Sequence, residues 1–174
     1  VRLIVDLRPT GRANEDGGGS VIARLATFEG GDAEEMRRIN NELLVERSRY
    51  EEVLEKLGAR FTALNVGPAM SDLDCGPLIR ASQLERVCEF LAEAKHDGRA
   101  TVAKGTLVAN APAGGYYVEP QLLRDVPPRS RLACEEVFGP VLTIQTFADE
   151  AEAVALANGT RYGLAAMVFT GNQD

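Results

Sequence analysis

The sequence predicts an α/β fold in which a mostly parallel sheet is flanked by helices. Short apolar runs alternate with amphipathic, helix-like segments from residue 43 to residue 170. Most of these runs are continuously apolar, which is typical of strands buried on both faces of a parallel sheet. The composition agrees, because 45% of the 174 residues are hydrophobic and 26% are charged, as in ordinary globular domains.

Two regions differ in character, and the predicted border lies near residue 42. The first region holds two strand candidates, a glycine-rich stretch and a short helix candidate, at residues 1–5, 21–25, 12–19 and 33–39. Residues 43–174 carry the regular alternation of strands and helices. We therefore interpret residues 1–42 as an N-terminal segment distinct from the α/β region.

The first helix of that region is predicted over residues 49–64. Ser48 and Glu51 have the spacing of a capping box, in which the two side chains accept hydrogen bonds from free backbone N–H groups. Apolar residues then recur at helical spacing and form one stripe: Tyr50, Val53, Leu54, Leu57, Phe61 and Leu64. This stripe is expected to face the sheet.

The second helix is predicted over residues 82–97. Ser82 and Glu85 repeat the capping-box pattern, and Gly98 is suited to the left-handed residue that ends many helices. The apolar face is expected to contain Leu84, Val87, Cys88 and Leu91.

A third helix is predicted over residues 150–158, with Asp149 as its N-cap. Its end is marked by Asn158 and Gly159. A last strand follows at residues 165–170.

Four strands are expected among the helices. Residues 43–46 and 100–103 are short apolar runs, and residues 116–118 form a third run that Pro120 would end. Residues 137–147 form a longer run that a Gly-Pro pair interrupts.

Charge and composition exclude several classes of protein. Nineteen basic and 26 acidic residues give a net charge of −7, which disfavours nucleic acid as a partner. The longest apolar runs are far shorter than the ~20 residues of a membrane span. The first residues lack the pattern of a signal peptide, so secretion is not expected. Three cysteines are an odd count, and a single histidine does not complete a zinc site, so we expect no metal and a reducing cytoplasm.

Single residues with reactive side chains have ordinary structural interpretations. Cys75 and Cys134 stand beside acidic residues, which raise a thiol pKa, and Cys88 is assigned to the core. His96 is expected at the end of a helix, where the helix dipole favours it. The glycine run at residues 17–19 lacks the spacing of a phosphate loop and is interpreted as a surface turn.

The most informative stretch is residues 134–142, where Glu135 and Glu136 precede Phe138 and a Gly-Pro break. One interpretation is a solvated turn followed by a strand, with the phenylalanine in the core. The other is a ligand site, because a carboxylate at a strand end can accept hydrogen bonds from ribose hydroxyls and an aromatic ring can wall a planar ring.

Five motifs together resemble the NAD(P)-dependent aldehyde dehydrogenase superfamily. Glu135 to Val141 is similar to the family's E-E-x-F-G-P-V signature. The other four similarities lie, in the family's order, at residues 44–51, 76–79, 115–120 and 158–164. The resemblance covers residues 43–174 and implies the catalytic-domain fold of that family.

The resemblance also implies a reaction and two cofactor-binding residues. In the family, a cysteine thiolate attacks an aldehyde, hydride passes to NAD+ or NADP+, and water activated by a glutamate releases the carboxylic acid. Glu136 matches the residue that holds the nicotinamide-ribose hydroxyls, and Phe138 matches the residue beside the nicotinamide ring. A small aldehyde is the implied substrate.

The sequence departs from the family at its catalytic centre. The position of the family's nucleophile falls on Arg37, and the segments carrying the glutamate base and the oxyanion-binding asparagine are absent. We therefore assign no catalytic residue and expect an incomplete catalytic domain that is inactive alone. A homo-oligomer or a partner carrying the missing domain is also expected. The alternative is a non-catalytic binding or assembly module that retains the fold.

Overall fold

The structure is a computed structural model that describes residues 21–24, 42–161 and 167–169. Its helices are α1 (Tyr50–Thr62), α2 (Ala81–His96), α3 (Arg131–Cys134) and α4 (Glu150–Ala157). Its strands are β1 (Val21–Arg24), β2 (Glu42–Glu46), β3 (Asn65–Val66), β4 (Ala100–Lys104), β5 (Thr106–Leu107), β6 (Gln121–Arg124), β7 (Val141–Phe147) and β8 (Met167–Phe169). No helix in these ranges is long and apolar enough to cross a membrane.

Six of the described strands form one sheet in the order β4-β6-β7-β2-β1-β8. β6, β7 and β2 pair in parallel at its centre. β4 pairs antiparallel with β6, while β1 pairs antiparallel with both β2 and β8. Four of these six strands therefore run in one direction, and the predicted α/β fold with a mostly parallel sheet is confirmed. β3 and β5 form a separate parallel pair.

The core lies on both faces of the sheet because alternate residues of each strand point to opposite sides. On one face, α1 packs its apolar stripe against Leu43, Val45, Leu122, Leu142 and Ile144. On the other face, α2 and α3 cover Leu123 and Val141, while α4 covers Leu44 and Phe147. Since both faces are covered, residues 43–45 of β2 form a continuous apolar run, as the sequence indicated.

Two of the three predicted helix starts are wrong in detail. The Ser48 hydroxyl donates to Glu46 Oε1 at 2.8 Å, and the 3-10 turn Arg47–Arg49 precedes α1, so Ser48 caps nothing. α2 starts one residue earlier than predicted, which places Ser82 inside its first turn and leaves Arg80 as an N-cap without a side-chain bond.

The remaining helix signals are confirmed. Asp149 Oδ1 accepts from the backbone N–H of Glu152 at 2.8 Å, and Glu152 Oε2 accepts in return from the N–H of Ala148 at 2.7 Å. This pair resembles a capping box, although the return bond goes to the residue before the N-cap rather than to the N-cap itself. After the C-terminal end of α2, Gly98 has a φ of 71°, the left-handed conformation that glycine adopts without strain.

Two predicted strands differ from the structure. Residues 116–118 form no strand, because Gly114 at φ 87° turns the chain and the Tyr117 N–H donates to the carbonyl of Gly115 at 3.0 Å. The strand follows Pro120 instead, as β6. The run predicted at residues 137–147 begins as a strand only at Val141, since the preceding residues form a loop.

The strands predicted near 21–25, 43–46, 100–103 and 165–170 are found as β1, β2, β4 and β8. The expectations for residues 1–5, 12–19 and 33–39, and for Arg37, fall on residues outside the described ranges.

Candidate functional site

The signature segment connects α3 to β7. α3 is a single turn whose N-cap, Ser130, accepts through Oγ from the Ala133 N–H at 3.3 Å. The Glu135 N–H donates to the carbonyl of Arg131 at 2.8 Å and closes the turn. The next five residues, 136–140, form a loop that we call the Glu136 loop.

The Glu136 loop contains a buried glutamate and, two residues later, a half-buried phenylalanine. Glu136 is 8% exposed. Phe138 has a φ of 56°, a backbone conformation that residues with a Cβ rarely adopt. A residue held in this region generally marks a position where the surrounding structure imposes the conformation.

The loop lies directly against α2. A Cβ placed on Gly139 would lie 2.5 Å from Cγ2 of Val87, a side chain that is fully buried. Only a glycine therefore permits this approach of the loop backbone to the helix.

Two side chains of α2 hold the loop backbone. Gln83 Nε2 donates to the carbonyls of Val137 and Phe138 at 3.1 and 2.8 Å. Arg86 Nη2 donates to the carbonyl of Glu136 at 2.8 Å. Three successive carbonyls of the loop are thus hydrogen-bonded to one helix.

An ion cluster extends from the same helix towards α3. Glu135 accepts from both Arg86 and Arg131, each at 3.4 Å, and Arg131 also pairs with Glu93 at 3.2 Å. The two guanidinium groups stack on the ring of Phe90, at 4.9 Å for Arg86 and 4.2 Å for Arg131. These contacts tie α2 to the segment that precedes the loop.

The far end of the loop is fixed to the sheet. The Gln121 N–H at the start of β6 donates to the carbonyl of Pro140 at 2.9 Å. Gln121 pairs in register with Val141, the first residue of β7. The loop therefore lies where two parallel central strands begin, and it presents a carboxylate and an aromatic ring two residues apart.

The sequence profile of the aldehyde dehydrogenase family matches residues 38–174. The chain belongs to this family. The match includes the Glu136 loop, the α2 residues that hold it and all four described helices.

Individual relatives agree with the family assignment. The betaine aldehyde dehydrogenase of Cereibacter sphaeroides is 39% identical over 129 residues, which is 74% of this chain and 26% of that protein. A crystal structure from Burkholderia cenocepacia, assigned as an aldehyde dehydrogenase, is 58% identical and superposes with a TM-score of 0.70. It covers 71% of this chain and 26% of its own length.

A second solved structure carries ligands. It is a variant of an aldehyde dehydrogenase from Pseudomonas syringae in complex with NAD+ and octanal, 30% identical, with a TM-score of 0.65. It covers 71% of this chain and 26% of its own chain. This chain therefore spans about a quarter of the length of the aldehyde dehydrogenases that it matches.

The three thiols of this family member occupy different environments. Cys75 is buried, and burial raises the pKa of its thiol, with the neighbouring Asp74 carboxylate adding to the shift. Cys134 is half-buried and its Sγ lies 3.3 Å from the carbonyl of Pro128. Cys88 is exposed, so the prediction that it belongs to the core is wrong. The buried face of α2 is formed by Val87, Phe90 and Ala94 instead.

His96 lies at the end of α2, as predicted, with its side chain 89% exposed and Nδ1 3.2 Å from Asp97 Oδ1. In the described part of the chain, no group of three or more His, Cys, Asp or Glu residues is placed to hold a metal ion.

The sequence prediction missed Gln83 and Arg86. The two residues are three positions apart on a helix and therefore lie on the same side as Val87 and Phe90. In the sequence, the available signal was that polar side chains stand beside an otherwise apolar helix face. Their acceptors are main-chain carbonyls 50 to 55 residues away in sequence, which no residue type reveals.

A buried polar pair was also missed. Gln145 in β7 donates through Nε2 to Glu42 Oε1 in the neighbouring strand β2. The two residues are 6% and 3% exposed. They interrupt the apolar face of the sheet that α4 covers through Leu44 and Phe147.

Proposed function

We propose that this chain forms part of the nicotinamide-binding side of an aldehyde dehydrogenase. In this proposal, the Glu136 carboxylate accepts hydrogen bonds from the ribose hydroxyls of NAD+ or NADP+, and Phe138 packs beside the nicotinamide ring. The observation that carries it is the Glu136 loop itself, in which hydrogen bonds at both ends hold the backbone of the segment that carries Glu136 and Phe138.

The residues present fit such a cofactor. Ribose hydroxyls are donors, and a buried carboxylate is the strongest acceptor that a protein offers them. A flat aromatic side chain that is half-buried, as Phe138 is, suits a planar heterocycle. When bound, the cofactor accepts a hydride from the substrate.

The reaction proposed for the whole protein is oxidation of a small aldehyde to the carboxylic acid. It rests on the family and on the relatives, several of which are named for betaine aldehyde or for aldehydes in general. The contribution of this chain would be to orient the cofactor ring. The nucleophile and the base remain unassigned among the described residues.

A non-catalytic binding or assembly role is the second candidate. It is favoured by the sequence spacing, which predicts Arg37 at the position of the family's nucleophilic cysteine, just before the family match begins at residue 38. Under this alternative the chain retains the fold and the cofactor-facing loop without supporting turnover.

We also propose an oligomer or a partner domain, and a reducing compartment such as the cytoplasm. Met70 and Ile79 are large apolar side chains that are 97% and 55% exposed, and such surface favours association. The three free thiols are consistent with a reducing compartment. Light scattering over a dilution series tests the first of these proposals.

Cofactor binding can be tested on this chain by NMR. Titration with NAD+ and NADP+ is expected to shift the amides of residues 135–141, with a dissociation constant of about 1 mM or weaker, because only part of the family's length is present. Glu136→Gln should raise this dissociation constant about tenfold or more, since a charged acceptor is lost.

Glu89→Gln is the matched control, because Glu89 is an exposed carboxylate on α2. Amide shifts that are absent, or that are equally large in Glu136→Gln and Glu89→Gln, would contradict the proposed role of Glu136.

A further inference from the structure

Two side chains of α2 bind the backbone of the Glu136 loop rather than its side chains. Arg86 donates to the first loop carbonyl, and Gln83 donates to the second and third. A single amide group of Gln83 thereby bridges two adjacent peptide units. Side-chain donors that satisfy consecutive carbonyls restrict the rotation of each peptide plane between them.

Helix geometry explains why one element supplies all three bonds. Residues three apart on a helix lie on the same face. Val87, adjacent to Arg86, contacts the position where Gly139 lacks a Cβ. The helix can therefore approach the loop closely enough for the shorter side chain of Gln83 to reach its carbonyls.

The hydrogen bonds from Gln83 and Arg86 lie at and just before the residue with the least favourable backbone conformation in the loop. Phe138 has a φ of 56°, and its own carbonyl accepts the 2.8 Å bond from Gln83. A phenylalanine at positive φ persists only when its surroundings stabilise that conformation. Relaxation of Phe138 to negative φ would rotate the adjoining peptide units and redirect its ring relative to the Glu136 carboxylate.

The cluster behind α2 fixes the orientation of Arg86. Its guanidinium stacks on Phe90 and, among the described contacts, donates to the Glu135 carboxylate and to the Glu136 carbonyl. A planar guanidinium with several fixed donors is better suited than an ammonium group to bind a carboxylate and a carbonyl together.

We propose that Gln83 and Arg86 are positioning residues that hold Phe138 of the Glu136 loop in the left-handed conformation and so set the relative direction of Glu136 and Phe138. This assignment rests on the proposed function for its relevance to the cofactor, although the positioning itself is a property of the free chain. Gln83 is the more important of the two, because it binds the carbonyl of the residue with positive φ.

The test is Gln83→Glu, which keeps the size of the side chain and removes its donors. At positive φ, the amide and α protons of Phe138 lie close together and give a strong intraresidue nuclear Overhauser effect. We expect this effect to fall by about half or more in Gln83→Glu, with amide shifts at residues 136–139. Glu89→Gln serves as the control and should leave both signals unchanged.

A double variant separates positioning from general loss of packing. Glycine adopts a φ of 56° without strain, so Phe138→Gly removes the need for support. The shift changes that Gln83→Glu causes at Glu136 should then be about twofold smaller in the Phe138→Gly background. If Gln83→Glu fails to fold, Gln83→Met removes the same donors without adding a charge.

The outcomes distinguish the two hypotheses. A rearranged loop in Gln83→Glu, in a chain whose parent shows no NAD+ shifts, supports the positioning role and contradicts the proposed cofactor function. An unchanged Phe138 signal in both Gln83→Glu and Arg86→Met overturns the positioning role, whether or not NAD+ binds. When the parent does bind NAD+, Gln83→Glu should weaken that binding about threefold or more. The control Glu89→Gln should bind NAD+ as tightly as the parent.

Discussion

Gly139 and Val87 approach so closely that a Cβ on the glycine would lie 2.5 Å from Cγ2 of the valine and 3.2 Å from its Cγ1. Val87 is fully buried and β-branched, so its side chain has little freedom to move away. This contact sets the distance between α2 and the Glu136 loop, on which the hydrogen bonds from Gln83 depend.

Gly139→Ala is therefore expected to lower the free energy of unfolding by about 1–3 kcal/mol, the usual range for overpacking. Urea denaturation measures the change. Gly76→Ala is the matched control, because a Cβ there would meet its nearest neighbour only at 4.0 Å. The double variant Val87→Ala/Gly139→Ala should lose less stability than the two single changes together. A strictly additive result would contradict the steric explanation.

The buried pair in the sheet gives a second prediction. Gln145→Leu removes the donor that Glu42 Oε1 accepts from, in a place where both residues are buried. We expect a loss of about 1–3 kcal/mol of stability, because a buried acceptor is left with one partner fewer. Thr146→Val, at the half-buried neighbouring position, provides the control for a polar-to-apolar change in β7. Equal effects of the two substitutions would show that the pair contributes nothing particular.

The thiols should differ in reactivity with alkylating reagents. Burial is the main reason why the pKa of Cys75 is raised, whereas Cys88 is exposed. An unfolded thiol has a pKa of about 8.5, so the folded chain keeps the Cys75 proton to higher pH. At pH 8, iodoacetamide should modify Cys88 well before Cys75, as mass spectrometry of peptides can measure. In urea the two rates should converge, and similar rates in the folded chain would contradict the burial argument.

The same shift has a consequence for stability. The folded state favours the protonated thiol, so the contribution of Cys75 is fully present below the unfolded pKa and is lost as the pH rises through the folded pKa. Cys75→Ala should therefore flatten the decline of unfolding free energy above about pH 8.5.

The chain by itself should not oxidise aldehydes. The family match begins at residue 38, and the sequence spacing predicts Arg37 where the family has its nucleophile. Loss of one member of a catalytic unit commonly costs several orders of magnitude in rate. Absorbance of reduced cofactor, measured with NAD+ or NADP+ and a panel of aldehydes, gives the direct assay. Turnover that disappears in Cys75→Ser or Cys134→Ser would overturn this expectation and assign that thiol as nucleophile.

Local chemistry explains which elements could be predicted from the sequence. Asp149 caps α4 because an aspartate two to three residues before free N–H groups needs no distant partner. Gly98 ends α2 for a similarly local reason. The continuous apolar run at residues 43–45 predicted a strand covered on both sides, and the family motifs located Glu136 and Phe138 in one segment.

Other features were decided by tertiary contacts. The helical period identified an apolar stripe on α2 but placed its centre one position away, so Cys88 was assigned to the core and Phe90 was overlooked. Residues 116–118 form no strand, because Gly114 turns the chain before them. The observed strand, β6, follows Pro120 and pairs with β4 and β7. Sequence alone predicted the family and the three long helices of this protein, since both depend mainly on neighbouring residues. Only the tertiary structure brought Gln83 and Arg86 to the Glu136 loop, because a side-chain bond to a distant main-chain carbonyl leaves no mark on the residue that accepts it.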